Sequence, residues 1–141
     1  RSSICPSKAS VWHYDFETAH WGDPGFDLGF FMTHLTLKWI WAARQGLASA
    51  DQFFGLLSTF WDEYQAGMAS LKPDADLENR AATHLAACML ARVDGKSPVD
   101  YLSTTDQPLV RQLTLDMLTA TRPPGIMQLV DETRQFVKSN S

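Results

Sequence analysis

Gly22 to Gly46 reads GDPGFDLGFFMTHLTLKWIWAARQG, and the fold turns on how this stretch is read. A turn sequence, Gly22-Asp23-Pro24-Gly25, runs straight into a long apolar segment. Glycine and proline punctuate a chain, and an aspartate between them binds nearby backbone N–H groups. The apolar run from Phe26 to Ala43 is interrupted by Asp27, His34 and Lys38, so it reads as a buried core helix and not as a membrane span. We expect that helix over Asp27–Gln45, with Asp27 as N-cap and Gly46 as its stop. Phe30, Phe31, Leu35, Leu37, Trp39 and Ile40 are spread nearly all round it, which places it in the middle of a bundle.

Upstream, Tyr14 to Trp21 carries Asp15, Phe16, Glu17 and His20. Residues 1–14 include the β-formers Val11, Trp12 and Tyr14, and Pro6-Ser7-Lys8 can turn the chain back, which predicts a short N-terminal β-hairpin. In an extended segment Asp15 and Glu17 point to one face, because side chains repeat every two residues. Two carboxylates so placed repel each other unless a cation neutralises them. A hard divalent ion such as Mg²⁺ suits them; a solvated strand end is the alternative. His13, Asp15, Glu17 and His20 as a transition-metal hydrolase site fit no common ligand spacing.

Downstream the pattern is helical throughout. Ser49-Ala50-Asp51-Gln52 has the form of a capping box, followed by Phe53, Leu56, Leu57, Phe60, Trp61 and Tyr64 at spacings of three and four. The loop Ser70–Pro73 closes that helix. Asp74 or Asp76 caps a third helix ending at Gly95, whose Ala81, Ala82, Ala86, Ala87 and Ala91 permit close helix approach. Asp106, with Pro108 in the first turn, starts a fourth helix. After Arg122-Pro123-Pro124-Gly125 a fifth presents Ile126, Leu129, Val130, Thr133 and Val137 on one side. The expectation is a mainly α chain: residues 1–26 form a β-hairpin and acidic metal-binding loop, and residues 27–141 a helical subdomain of the same domain.

Composition narrows the function. The 141 residues carry a net charge of −4, and the 12 Lys and Arg are scattered, so neither nucleic acid nor an anionic membrane is an expected partner. Cys5 and Cys88 stand alone, with no CxxC, which fits a reduced cytoplasmic protein.

Asp15-Phe16-Glu17, Gly22-Asp23-Pro24 and Phe26-Asp27-Leu28 match, in order and spacing, a run found in small-molecule kinases. The segment resembles the aminoglycoside phosphotransferase and choline kinase-like superfamily, which is built on the protein-kinase fold. LARVDGKSPVDYL, Leu90 to Leu102, also looks like a later helix and connector of uncharacterised members. The resemblance implies that Asp15 binds Mg²⁺ in the place of the protein-kinase DFG aspartate. It makes Glu17 a second metal ligand, and gives Asp27, with Asp23 at the turn, the task of bracing the catalytic loop. Methylthioribose kinases carry substrate-facing arginines in a comparable helix, which gives Arg92 a substrate-binding role toward the acceptor. A structural role for Arg92, paired with Asp94 or set against the helix dipole, stands beside it. ATP and Mg²⁺ are the implied cofactors of the intact enzyme, with neither expected to bind tightly to this chain alone, and a small hydroxylated acceptor (aminoglycoside, choline or sugar-like) is the implied substrate.

The family's catalytic loop reads His-Gly-Asp, then an Asn five residues after the Asp. Counting back from Asp15, the Asn falls near Ser3 and the catalytic Asp before Arg1. No glycine-rich loop or nucleotide-lobe lysine occurs in these 141 residues. The chain therefore reads as the C-terminal portion of a kinase, inactive alone. Apolar surface exposed by such a division predicts self-association, given five Trp and eight Phe. The competing reading is a non-catalytic helical interaction module derived from the same fold.

Overall fold

The computed structural model describes residues 22–71, 74–121 and 125–139. Five helices follow in order: α1 (Pro24–Arg44), α2 (Ser49–Met68), α3 (Leu77–Asp94), α4 (Asp106–Thr119) and α5 (Ile126–Ser139). Among the described residues there is no strand; the expected hairpin lies outside them. The mainly α expectation holds. No helix among the described residues is long and apolar enough to cross a membrane.

α1 begins three residues earlier than the sequence pattern suggested. Asp23, not Asp27, is its N-cap: the backbone there is extended, and Oδ1 accepts a hydrogen bond from Gly25 N at 2.9 Å. Pro24 supplies the fixed φ of the first helical position, so the helix starts on it. At the other end Leu47 N donates to Ala42 O at 2.9 Å and Gly46 N to Ala43 O at 3.0 Å. This six-to-one and five-to-two pair is a Schellman closure, and Gly46 at φ 65° is the residue type it requires.

The expected capping box at Ser49 does not form. Ser49 is already helical, Ala48 is the N-cap, and no side chain caps the end. Leu47 O instead accepts from Ala50 N at 3.0 Å. A reciprocal side-chain pair appears instead at the head of α4: Ser103 Oγ accepts from Asp106 N at 3.1 Å and donates to Asp106 Oδ2 at 2.6 Å. At the start of α5, Ile126 N donates to Glu78 Oε1 of α3 at 2.8 Å. A carboxylate from another helix thus satisfies a donor that α5 cannot.

α1 is the central element, packed against α2, α3 and α5, while α4 lies on α3. Met32, Leu37 and Ile40 of α1 meet Leu57 and Trp61 of α2, Ala81, Leu85 and Met89 of α3, and Ile126 and Leu129 of α5 in one core. Each fully buried side chain of that size contributes about 1.5–3 kcal/mol. Thr33 and Thr36 are buried as well, and their hydroxyls donate to Gly29 O and Met32 O one turn back.

Burial all round α1 is not what the structure shows. Phe26, Phe30 and Phe31 are 40%, 45% and 49% exposed, and Leu56 of α2 is 56% exposed. Phe31, Leu35, Leu56, Thr59 and Phe60 line an open apolar recess of about 320 Å³. α2 buries only Leu57 and Trp61 of its six-residue stripe, because it flanks α1 and meets α5 only at its edge, where the Arg134 guanidinium lies 3.8 Å over the Phe54 ring.

One ion pair crosses the base of the bundle. Arg44 Nε, in the last turn of α1, donates to Asp106 Oδ1, in the first turn of α4, at 2.8 Å. Each charge also complements the dipole of its own helix. Burial raises the Asp106 pKa, but the Ser103 hydroxyl and the Arg44 guanidinium outweigh it and hold the carboxyl below its ordinary 3.8. We predict that Asp106→Ala destabilises the chain by about 2–3 kcal/mol in urea unfolding, since it strands a half-buried guanidinium. In the parent this contribution is complete above about pH 4 and is lost as pH falls through the lowered pKa. An unchanged unfolding midpoint in the variant contradicts it.

Candidate functional site

The turn at the head of α1 is held from the side by α3. Arg80 Nε donates to Asp23 Oδ2 at 2.8 Å and Nη2 to Asp23 Oδ1 at 3.2 Å, a two-pronged grip. The same guanidinium reaches Asp74 through Nη2 at 2.7 Å and Nη1 at 3.3 Å. Asp74 Oδ1 also accepts from Asp76 N at 3.1 Å, so the turn that starts α3 is organised by the residue two before it. His84 Nε2 lies 3.6 Å from Asp23 Oδ2, and the Phe26 ring stands edge-on to the His84 ring with centroids 5.6 Å apart.

These contacts set the electrostatics. The Arg80 hydrogen bonds, then the Gly25 N–H, lower the Asp23 pKa from 3.8 to about 2. Asp74 is lowered for the same first reason, and Arg80 is raised by its two carboxylates. Asp23 is therefore an anion with all of its close partners inside the protein, and the corner is a structural clamp in chemical character. Among the described residues it offers no nucleophile, and its one imidazole, His84, sits beside the same carboxylate.

Asp27 stands elsewhere. It is exposed in the first turn of α1, with no hydrogen bond or ion pair among the described residues. An acidic residue there favours the helix dipole, and its carboxylate is open to a partner. Asp15 and Glu17, the expected Mg²⁺ ligands, lie outside the described residues, as do His13, His20 and Ser3. Among the described residues no three His, Cys, Asp or Glu side chains converge as a metal-binding set.

Arg92 shares a partly exposed face of α3 with His84 and Cys88. The expected pairing with Asp94 is not made: Asp94 is taken by Arg111 of α4, whose Nε donates to it at 2.7 Å. Arg92 Nη1 donates instead to Ser97, at 2.7 Å to the carbonyl and 3.2 Å to the hydroxyl. On α1, opposite, burial and the charges of Arg92 and Lys38 hold the His34 pKa below its ordinary value.

Sequence reasoning missed the Asp23–Arg80–Asp74 clamp. Arg80 is 57 positions from Asp23, and no local pattern marks such a pair. We predict that Asp23→Ala lowers stability and flattens its acid limb. In the parent the Asp23 contribution is complete above its ordinary 3.8 and is lost as pH falls toward about 2. Carboxyl-detected NMR of Asp23 reads the midpoint directly, and an ordinary midpoint near 3.8 would contradict the clamp. No family model, curated protein or solved structure matches the chain.

Proposed function

We propose that the chain is the C-terminal helical part of a small-molecule kinase of the aminoglycoside phosphotransferase and choline kinase-like type. Such an enzyme moves the γ-phosphate of ATP to a hydroxyl of a small acceptor. One observation carries the reading: Gly22-Asp23-Pro24 caps a long core helix whose first turn holds Phe26-Asp27-Leu28. The resemblance implies this turn and this motif in this order just after the metal ligands, with the helix starting at Phe26-Asp27-Leu28; here it starts two residues sooner, on Pro24. The carboxylate of Asp27, exposed and without a partner among the described residues, supports the bracing role that the resemblance implies.

On this reading Asp15 and Glu17 hold Mg²⁺, which bridges phosphate oxygens and neutralises charge as the phosphoryl group moves. Asp23 does not face the chemistry. Its clamp to Arg80 fixes where α1 begins. Position and electrostatics are the main protein contributions in this chemistry. The catalytic aspartate and nucleotide lobe have no counterpart in these 141 residues, so the reading assigns the chain no turnover by itself.

A non-catalytic interaction module is the second reading, favoured by the exposure of Phe26, Phe30, Phe31 and Leu56. Self-association through that face belongs to both readings, and sedimentation at rising concentration reads it; a strictly monomeric chain speaks against it. Metal binding separates them. With Mn²⁺ added as a paramagnetic stand-in for Mg²⁺, the kinase reading predicts selective broadening of the amide signals around Asp15 and Glu17. The broadening is lost in Asp15→Asn/Glu17→Gln. Broadening spread evenly over all surface carboxylates, or none, would remove the chemical basis of the kinase reading.

A further inference from the structure

Three of the arginines hold carboxylates: Arg44 on Asp106, Arg80 on Asp23 and Asp74, and Arg111 on Asp94. Arg92 does not. Val99 N donates to Arg92 O at 2.8 Å, so the connector to α4 folds back beside the last turn of α3, and Tyr101 in that connector stands edge-on to Trp41 of α1, ring centroids 6.2 Å apart. Lys38 and His34 lie one and two turns before Trp41 on α1, and the Arg92 charge is felt at both His34 and Tyr101. Among the described residues neither Arg92 nor Lys38 forms an ion pair. Asp94 is already taken, and Asp100 is exposed beside Tyr101.

Two polar atoms in this corner are buried with no hydrogen-bond partner among the described residues: Arg92 Nε and the Tyr101 hydroxyl. Buried groups of this kind are rare, and leaving one unmet costs about 1–3 kcal/mol. The corner thus combines concentrated positive charge with unmet hydrogen-bonding capacity. Both features call for the same thing, an acceptor that carries negative charge.

We propose that His34, Lys38, Arg92 and Tyr101 form a binding site for the anionic group of a small molecule, a carboxylate or a phosphate. Its oxygens accept from the Arg92 guanidinium and the Tyr101 hydroxyl, and Lys38 supplies the second positive charge. The planar guanidinium suits either oxyanion, because its donors form a fork that matches two oxygens. The Ser97 contacts that now hold Arg92 Nη1 are exposed, so water competes with them and the guanidinium is free to turn toward the ligand. The anion also offsets the repulsion that His34 experiences, which makes the imidazole a reporter of occupancy.

The anion site stands on this geometry alone. A further step rests on the kinase reading: with Arg92 at the acceptor, the acceptor carries an acidic group. Cationic acceptors such as aminoglycosides and choline are then repelled by Arg92 and Lys38.

Imidazole NMR of the full chain tests the site. Sodium sulfate, standing in for a phosphate, and sodium acetate, for a carboxylate, replace chloride at constant ionic strength. The expected result is a saturable rise in the His34 titration midpoint with one or both salts, while His84, beside Asp23, stays put. The salt that acts names the anion class. Arg92→Gln weakens binding by about tenfold or more, and Lys38→Gln by less, with circular dichroism confirming that each variant is folded. No saturable response at His34, equal drift at His34 and His84, or parent-like binding by folded Arg92→Gln overturns the proposal. So does a fall in the His34 midpoint in Asp15→Asn/Glu17→Gln without added anion, which would assign the cations to the chain's own carboxylates. A mixture of ATP with acidic and cationic acceptors, assayed in an intact enzyme, tests the acceptor step separately.

Discussion

The close approach of α1 to α3 at Gly29 is the constraint from which the rest of the arrangement follows. A Cβ at this position would lie 2.7 Å from both His84 Cβ and Leu85 N, and 2.8 Å from Ala81 O. Two of those neighbours are backbone atoms of a helix, which cannot yield without breaking its ladder. Ala81 and Ala82 on the facing side keep the gap small. Thr33 Oγ1, one turn further, lies 2.8 Å from Gly29 O and 3.4 Å from Leu85 O, so the contact continues as a polar one. Helix axes normally sit 8–10 Å apart, and only small residues at the crossing allow the near end of that range.

Nearness at this crossing positions both corners described above. Toward the start of α1 it brings Asp23 within reach of Arg80, which in turn holds Asp74 and the loop that starts α3. Toward the middle it sets His34 and Lys38 opposite Arg92. The first corner is electrically closed: its charges are paired and its anion is depressed well below the ordinary carboxylate range. The second is open, with like charges together and two buried polar atoms unmet among the described residues. That contrast is why we assign the first a structural task and the second a ligand.

The five helices were legible because each is written locally. Gly46, Gly95 and the Pro123-Pro124-Gly125 break separate them, and the spacing of apolar residues identifies the inward faces of α3, α4 and α5. Caps were less legible. Asp27 and Ser49 both have the right chemistry for an N-cap, yet Pro24 starts α1 earlier and Leu47 O serves the head of α2. Several residues near a helix start compete for one role, and backbone geometry decides among them. The exposed phenylalanines of α1 show the same limit in another form. Periodicity states that a helix is apolar all round, but only the number of neighbours decides how much of it is covered. Of the candidate site, the sequence marked Asp23, Asp27 and Arg92 as residues worth attention. It gave no sign of Arg80, and it showed His34 and Lys38 only as breaks in an apolar run and Tyr101 only as part of a connector, because their grouping depends on contacts between distant segments.

The α1–α3 crossing is tested most directly by comparing Gly29→Ala with Gly55→Ala in chemical unfolding. Both glycines lie inside helices, where alanine is intrinsically better by about 0.5–1 kcal/mol. Nothing lies within 4 Å of a Cβ at Gly55, so that variant should gain stability. Gly29→Ala should instead lose about 2 kcal/mol or more, because overpacking a tight contact forces helices apart. A Gly29→Ala chain as stable as the Gly55→Ala chain would mean that α1 and α3 do not meet this closely, and both corners built on their contact would lose their foundation.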